Sequence, residues 1–217
     1  EDKCYHDLWF SEIKRPKTLV KNVAGVFYDE NYRVLTKEEA LDILMASDEE
    51  FLIKPSIDSG EGRLISFFKK EDMTREKFTK TIDELGANYI AQHVVKQHPT
   101  LAKLNPSSLN TIRIVTFFFE NEVHVLSSIL RIGAKNSRVD NVGAGGFACP
   151  INPDGSLKEK AVNRKAEWVT ENYDGIPFKG IVIENYEKVV EAGKDNHKKL
   201  AHFKLAGWDM SVNEEGE

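Results

Sequence analysis

The stretch from Phe51 to Phe68, FLIKPSIDSGEGRLISFF, combines residues that suit anion binding. An apolar strand ends in Lys54, and a polar loop with Ser56, Ser59, Gly60, Gly62 and Arg63 separates it from a second apolar strand. Glycines let backbone N–H groups approach an anion closely, and consecutive N–H groups in a turn form an anion-binding nest. The pattern indicates a polyphosphate ligand. An ordinary hairpin with a polar turn explains it about as well, because short glycine motifs also occur by chance.

Two arginines, Arg113 and Arg131, lie near the far ends of two consecutive strand patterns. These strands, Asn110 to Phe119 and Glu122 to Ile132, flank a two-residue turn and predict a hairpin. Antiparallel pairing would bring the two guanidinium groups toward each other. Since like charges on facing strands repel, we expect an anion or an acidic side chain between them.

Asp209 lies between Trp208 and Met210 in the strand-like segment GWDMSV, residues 207–212. An acid in a buried strand costs free energy unless it is paired or bound to a metal. Asp209 is therefore a candidate metal ligand, and a buried hydrogen-bonded aspartate is an equally good interpretation.

The composition excludes several classes of function. The chain has 217 residues, and its 35 acidic and 30 basic residues give an interspersed net charge of −5, which argues against a nucleic-acid-binding surface. Cys4 and Cys149 form neither a disulfide framework nor a CxxC site, so a reducing cytoplasm is the simpler setting. No apolar run approaches the roughly 20 residues of a membrane span. The histidine pairs are five residues apart, which does not fit paired zinc ligands on one helix face, and no metal site is predicted there.

The positioning elements alternate between strand and helix patterns. Thr36 and Glu39 form a capping box that opens a helix ending near Ser47, and Gly86 ends a second helix over 74–85. A long helix is predicted over 184–203. Further strands are predicted at VAGVFY (residues 23–28), over 88–95, and in a hairpin over 147–152 and 157–162. This order predicts an α+β fold. The polar connector HPTLAKLNPSS divides it into residues 1–98 and 99–217.

Common phosphate-binding and hydrolytic motifs are missing from the sequence. It contains no Walker A loop, no Rossmann fingerprint, no G-x-S-x-G elbow and no protein-kinase signature.

The order of the remaining features resembles the ATP-grasp superfamily, in particular the sugar-transfer-associated ATP-grasp family and, more distantly, the ribosomal-protein glutamate ligases. The resemblance covers nearly the whole chain. The segments that carry it are KPSIDSGEGR, QHVVKQHP, SSLNTIRIVTF, LRIGAKNSRVDNVGAGG and GWDMSV. It implies two α+β subdomains that grip ATP between them.

The resemblance also implies roles for individual residues. Lys54 would contact the phosphates, and the loop with Ser59, Gly60, Gly62 and Arg63 would close over them as a lid that excludes water. Gln92, His93 and Val95 would form the adenine hinge, with His98 or Gln97 near the ribose. Arg113, Arg131 and Asn141 would handle the transferred phosphoryl group or the acceptor carboxylate, and Asp209 would hold Mg²⁺.

The function implied is ATP-dependent ligation of a small-molecule carboxylate and an amine through an acyl phosphate, and the analogy with the family suggests cell-surface glycan biosynthesis as its setting. Phosphoryl transfer to a hydroxyl and a non-catalytic nucleotide-binding module remain open alternatives. The family continues into a strand with a Glu-x-Asn pattern that completes its metal site. This sequence stops at Glu217 and is expected to be truncated at both ends.

Overall fold

The computed structural model describes residues 2–57 and 64–217. The chain divides into two compact units, Glu1–Val95 and Lys96–Glu217. This division falls after Val95, whereas the sequence predicted a boundary after residue 98. Each unit combines one six-stranded antiparallel sheet with helices, which confirms the α+β class. None of the helices formed by the described residues has the length and apolar character needed to cross a membrane.

The first unit is built on a sheet whose strands run in the order β3-β2-β1-β6-β4-β5. Its elements, in chain order, are a 3₁₀ turn Lys3–Tyr5, α1 His6–Trp9, β1 Thr18–Val23, β2 Val26–Tyr28, β3 Val34–Leu35, α2 Lys37–Met45, β4 Phe51–Pro55, β5 Ser66–Phe68, a 3₁₀ turn Lys70–Asp72, α3 Arg75–Leu85 and β6 Tyr89–His93.

Local signals account for most of these element ends. Thr36 and Glu39 form both hydrogen bonds of the predicted capping box at the start of α2. Thr74 caps α3, and Gly86 ends that helix with a φ of 72°. The prediction of one strand at VAGVFY was wrong. Ala24 and Gly25 have φ values of 49° and 88°, which turn the chain between β1 and β2.

Three phenylalanines hold the β4–β5 hairpin against α3. Phe51 and Phe68 face each other across the two strands with ring centroids 5.3 Å apart, and Phe78 lies 5.6 and 4.9 Å from them. All three side chains are fully buried. This cluster fixes the strand that carries Lys54.

The second unit is built on a sheet with the order β11-β10-β9-β8-β7-β12. Its elements are α4 Pro99–Ala102, β7 Ile112–Phe119, β8 Glu122–Ile132, a 3₁₀ turn Val142–Ala144, β9 Phe147–Pro150, β10 Ala161–Asn163, β11 Trp168–Val169, α5 Tyr186–Lys199 and β12 Leu205–Met210. The predicted hairpin of β7 and β8 is confirmed, and β12 pairs with β7 along its whole length.

The connector that was predicted to be a polar boundary is part of the core of the second unit. Leu101 and Leu104 are buried in it. The Asn110 amide donates to Gln97 Oε1 and to the carbonyls of Leu101 and Asn105 at 2.9 to 3.0 Å. These bonds let a polar segment be buried, because its backbone acceptors are satisfied.

Helix α5 covers one face of the second sheet, and it is shorter than predicted because it ends at Lys199. His197, fully buried, lies 2.9 Å from the Phe203 carbonyl through Nε2 and 2.7 Å from Thr116 Oγ1 through Nδ1. Trp208 donates its indole N–H to the same hydroxyl at 2.8 Å. This network ties the helix to β7 and β12 and defines the core face of the sheet.

Candidate functional site

Lys54 occupies the fourth position of β4 and faces Ile90 of β6. Its ammonium group forms no ion pair with any described residue. Burial lowers the pKa of Lys54 to about 8, and the nearby positive charge of Lys3 lowers it further in the same direction. A cation that is withdrawn from water without a counter-charge is destabilised relative to its neutral form. The first unit therefore presents a positive charge that an anion would stabilise.

The surroundings of Lys54 add donors. The Lys3 ammonium donates to the Ser56 carbonyl at 3.3 Å, so a second cation lies at the end of the same strand. The Ser56 hydroxyl is fully buried and has no hydrogen-bond partner among residues 2–57 and 64–217. Lys3 was not predicted from the sequence, since nothing in its local pattern connects it to a strand more than fifty residues away.

The predicted phosphate lid depends on Ser59, Gly60, Gly62 and Arg63. These four residues lie outside the described part of the chain, so their role remains a prediction.

The predicted adenine hinge lies at the end of β6. The Gln92 amide donates to Thr18 Oγ1 at 3.3 Å, and the His93 backbone N–H donates to the Lys17 carbonyl at 2.9 Å. The His93 N–H is therefore already used within the sheet. Val95 makes no backbone hydrogen bond with the described residues, and this leaves its N–H and C=O groups for a ligand.

His98 belongs to the second unit, where both of its ring nitrogens have partners. Nδ1 accepts from the Thr100 N–H at 3.3 Å and Nε2 lies 2.9 Å from a Glu184 carboxylate oxygen. Gln97 is used just as fully, because its amide donates to two carbonyls and accepts twice from Asn110. Binding of a ribose by either side chain would require these bonds to be broken.

The two predicted arginines of the second unit meet at one carboxylate. Arg113 donates through Nε and Nη2 to the two oxygens of Asp209 at 2.5 and 2.6 Å, and Arg131 Nη1 lies 3.5 Å from Oδ1. Asp209 is thus the acid that the sequence required between the arginines. The register explains the contact, because Asp209 lies directly opposite Arg113 across β12 and β7.

A second acid, Asp140, holds Arg131 from the other side. Arg131 Nη2 donates to Asp140 Oδ1 at 2.8 Å. Asp140 Oδ2 accepts from the Thr111 backbone N–H at 3.0 Å and from its hydroxyl. Burial disfavours the charged guanidinium, but the hydrogen bond and charge of Asp140, helped by Asp209, raise the pKa of Arg131. Asp140 was not predicted from the sequence, although its position next to Asn141 in a polar loop was a usable signal.

The side-chain oxygen of Asn141 hydrogen-bonds within its own loop and not to the arginines. Its Oδ1 accepts from the Gly143 N–H at 2.7 Å and caps the 3₁₀ turn. Gly146 follows at a point where a Cβ atom would lie 2.3 Å from the Ile132 carbonyl, so only glycine fits. The Asn141 Nδ2 group has no hydrogen-bond partner within the described residues and is available to a ligand.

The described residues do not by themselves form a metal site. Within residues 2–57 and 64–217, no three His, Cys, Asp or Glu side chains cluster closely enough to hold an ion. Both oxygens of Asp209 are engaged by guanidinium groups. Its role as a Mg²⁺ ligand therefore remains a prediction and would require exchange of these contacts.

A profile of the family described as sugar-transfer associated ATP-grasp matches residues 10–217. The chain belongs to this family. The match covers most of the first unit and all of the second.

One solved structure shows the same fold. D-alanyl-alanine synthetase A from Vibrio cholerae O1 biovar eltor is similar over 100% of this chain with a TM-score of 0.51 and 12% identity. The chain spans about half of that synthetase, 52% of its length. D-cycloserine synthetase DcsG matches 91% of this chain and 70% of its own, with a TM-score of 0.45 and 14% identity. No curated protein matches the sequence. The predicted ATP-grasp fold is confirmed.

Proposed function

We propose that this sugar-transfer-associated ATP-grasp chain takes part in an ATP-dependent ligation that forms ADP and joins a carboxylate to an amine in the cytoplasm. Membership of the family supports an ATP-dependent, ligase-type function. The observation that carries the proposal is the half-buried ammonium of Lys54, which forms no ion pair with the described residues and whose pKa is lowered to about 8.

The phosphates of ATP are the anion that best complements this group. A phosphate oxygen next to Lys54 would supply the missing negative charge and favour the charged form of the lysine. The buried Ser56 hydroxyl offers one more hydrogen bond in the same region. The backbone groups of Val95, which form no backbone hydrogen bond with the described residues, suit the edge of a purine base, which presents adjacent donors and acceptors.

In the proposed reaction an oxygen of the substrate carboxylate attacks the γ-phosphorus of ATP, and ADP leaves. The nitrogen of the amine then attacks the acyl phosphate carbonyl, inorganic phosphate leaves, and the nitrogen loses a proton. Arg113 and Arg131 supply fixed positive charge for the carboxylate and for the phosphoryl oxygens, which is the task that a planar guanidinium performs best. When bound, Mg²⁺ would neutralise charge on the phosphates of ATP, and Asp209 is the described residue that would serve as its ligand.

Asp209 has a defined part in this proposal. In the structure it neutralises Arg113, and an incoming carboxylate would compete with it for the same N–H groups. Because the two acids have the same geometry, the exchange keeps the arginine in place while the ligand binds.

The first test measures nucleotide binding by calorimetry in the variant Lys54→Met. We expect ATP affinity to fall by about 100-fold, because the variant lacks the positive charge that would contact the phosphates. The methionine side chain fills a similar space. Lys70→Met is the matched control, because Lys70 is exposed and paired with Asp48 at 2.6 Å. Unchanged ATP affinity in folded Lys54→Met would remove the central claim.

The second test identifies the reaction class. With hydroxylamine present, a ligase traps its acyl phosphate as a hydroxamate only when the carboxylate substrate is supplied. A phosphorylated hydroxyl product would instead establish a kinase. ATP binding without turnover in any pool of acceptors would establish a non-catalytic nucleotide-binding module.

A further inference from the structure

One face of the second sheet is not covered by α5 and extends from the arginine pair to the opposite edge strand. Directly paired residues in antiparallel strands lie on the same face. Arg131 of β8 pairs with Ala148 of β9, Ala148 pairs with Val162 of β10, and Val162 pairs with Trp168 of β11. Arg131 and Trp168 therefore share this face at a separation of three strand spacings, or about 14 Å.

A shallow cavity of about 520 Å³, open to solvent over most of its boundary, lies at the Trp168 end of this face. It is lined by Pro150, Lys158, Glu159, Lys160 and Trp168. This volume is in the range of small-molecule sites, which hold ligands of one to a few rings.

The lining of this cavity has unused binding groups. Trp168 is 62% exposed and stacks with no other aromatic ring among the described residues. Neither Lys158 nor Lys160 forms an ion pair within residues 2–57 and 64–217. Glu159 lies 3.9 Å from Lys179, a long contact that leaves its oxygens able to accept hydrogen bonds. In a chain with a net charge of −5, two unpaired lysines beside an exposed tryptophan form a local positive, aromatic site.

We propose that this cavity is a subsite for an acidic saccharide, and that the saccharide extends along the open sheet face toward Arg131. The proposal deepens the function proposed above, since it names the substrate class of the same site. The ring of Trp168 offers a flat apolar surface for the C–H face of a sugar. The lysines pair with carboxylate or phosphate groups on the sugar, and Glu159 accepts from its hydroxyl groups.

Other anionic partners fit the site less well. A nucleic acid binds a broad basic surface, whereas this chain is acidic overall. The span of about 14 Å to Arg131 suits a short oligosaccharide whose terminal carboxylate is held by the arginine pair.

The test is calorimetric titration of the protein, without nucleotide, with oligosaccharides of glucuronic acid and of glucose. We expect saturable binding of the acidic oligosaccharide and binding of the neutral one that is at least tenfold weaker. Trp168→Ala and the double variant Lys158→Gln/Lys160→Gln are each expected to weaken the acidic ligand tenfold or more. Trp168→Phe keeps an aromatic surface and is expected to restore most of the affinity.

Lys188→Gln is the control, since Lys188 is exposed on α5 and lies outside the cavity. The proposal is overturned by a lack of saturable binding, by equal affinity for both sugars, or by an equal loss in the control. It is also overturned if vesicles of anionic lipid bind with the same dependence on Trp168 and the lysines.

The outcome is separable from that of the nucleotide proposal. Trp168→Ala should bind ATP as the unaltered protein does, and Lys54→Met should bind the saccharide normally. If the unaltered protein binds the saccharide but not ATP, the ligase proposal alone is contradicted. If it binds ATP but not the saccharide, the subsite alone is contradicted.

Discussion

The two units differ in whether their candidate cationic side chains are paired with acids. In the first unit Lys54 is half-buried and forms no ion pair with an acid among residues 2–57 and 64–217, and burial lowers its pKa to about 8. In the second unit Arg113 and Arg131 are held by Asp209 and Asp140, and the pKa of Arg131 is raised. One unit carries an unsatisfied charge, and the other carries a neutralised network.

This difference reflects two routes to anion binding. An unpaired cation destabilises the free protein, but a ligand that binds it gains the full electrostatic interaction. A paired guanidinium is stable and oriented in advance, but a ligand must compete with the existing carboxylate. Strong, non-specific capture of phosphate suits the first arrangement, and precise placement of a reacting group suits the second.

The largest expected effect is on turnover in Arg113→Ala. We expect ADP release in the presence of a supplied carboxylate to fall by about 10²–10³-fold, because a charge that stabilises the transferred group is lost. ATP affinity should change by less than about threefold. Arg33→Ala is a surface control, since the Arg33 side chain is 59% exposed and pairs with Asp29 and Glu39. Equal losses of affinity and turnover would contradict the assignment of Arg113 to the reacting group.

Asp140→Asn sharpens the comparison within the second unit. The amide keeps an acceptor for Thr111 but removes the charge that holds Arg131, so we expect turnover to fall about tenfold through misplacement of the guanidinium. Kinetics at varied carboxylate concentration should show the loss, while ATP affinity stays unchanged. Asp174→Asn breaks an exposed ion pair with Lys135 in the same unit and should have no effect. If Asp140 had only a structural role, Asp140→Asn would lower the unfolding temperature and leave the kinetic constants of the folded fraction unchanged.

The smallest expected effect is on stability in Lys54→Met. The folded pKa of about 8 lies below the value of 10.5 for an unperturbed lysine, so the unfolded chain binds more protons between these pH values. The destabilisation of the folded protein by charged Lys54 is therefore at its full value below pH 8, and it disappears as the pH rises toward 10.5. Without ATP, we expect the variant to be about 1 kcal/mol more stable at pH 7 and to lose this advantage by pH 10.5.

Denaturant unfolding at several pH values measures this change. ATP affinity should show the complementary trend, falling above pH 8 as the free lysine loses its proton. A variant that is less stable than the parent protein at pH 7 would show that Lys54 is a packing residue, and the contrast between the two units would be lost.

Local structure was largely predictable from the sequence. The capping box at Thr36, the stop at Gly86 and the hairpin of β7 and β8 are set by side chains within a few residues of each other. Such signals operate before any tertiary contact forms, which is why they could be read directly. The same holds for Lys54 and Arg113 as candidates, because their strands and neighbouring loops are contiguous in sequence.

The partners of those residues were decided only by the tertiary structure. The sequence required an acid between the arginines, but the strand order brought in Asp209 from 96 positions away and the loop before β9 brought in Asp140. The tertiary structure likewise buries Leu101 of the connector and gives both ring nitrogens of His98 a partner. Periodicity encodes which face a side chain takes and not which distant strand lies beside it. The sequence thus determined the candidate cations, and the packing of the strands determined which of them are neutralised.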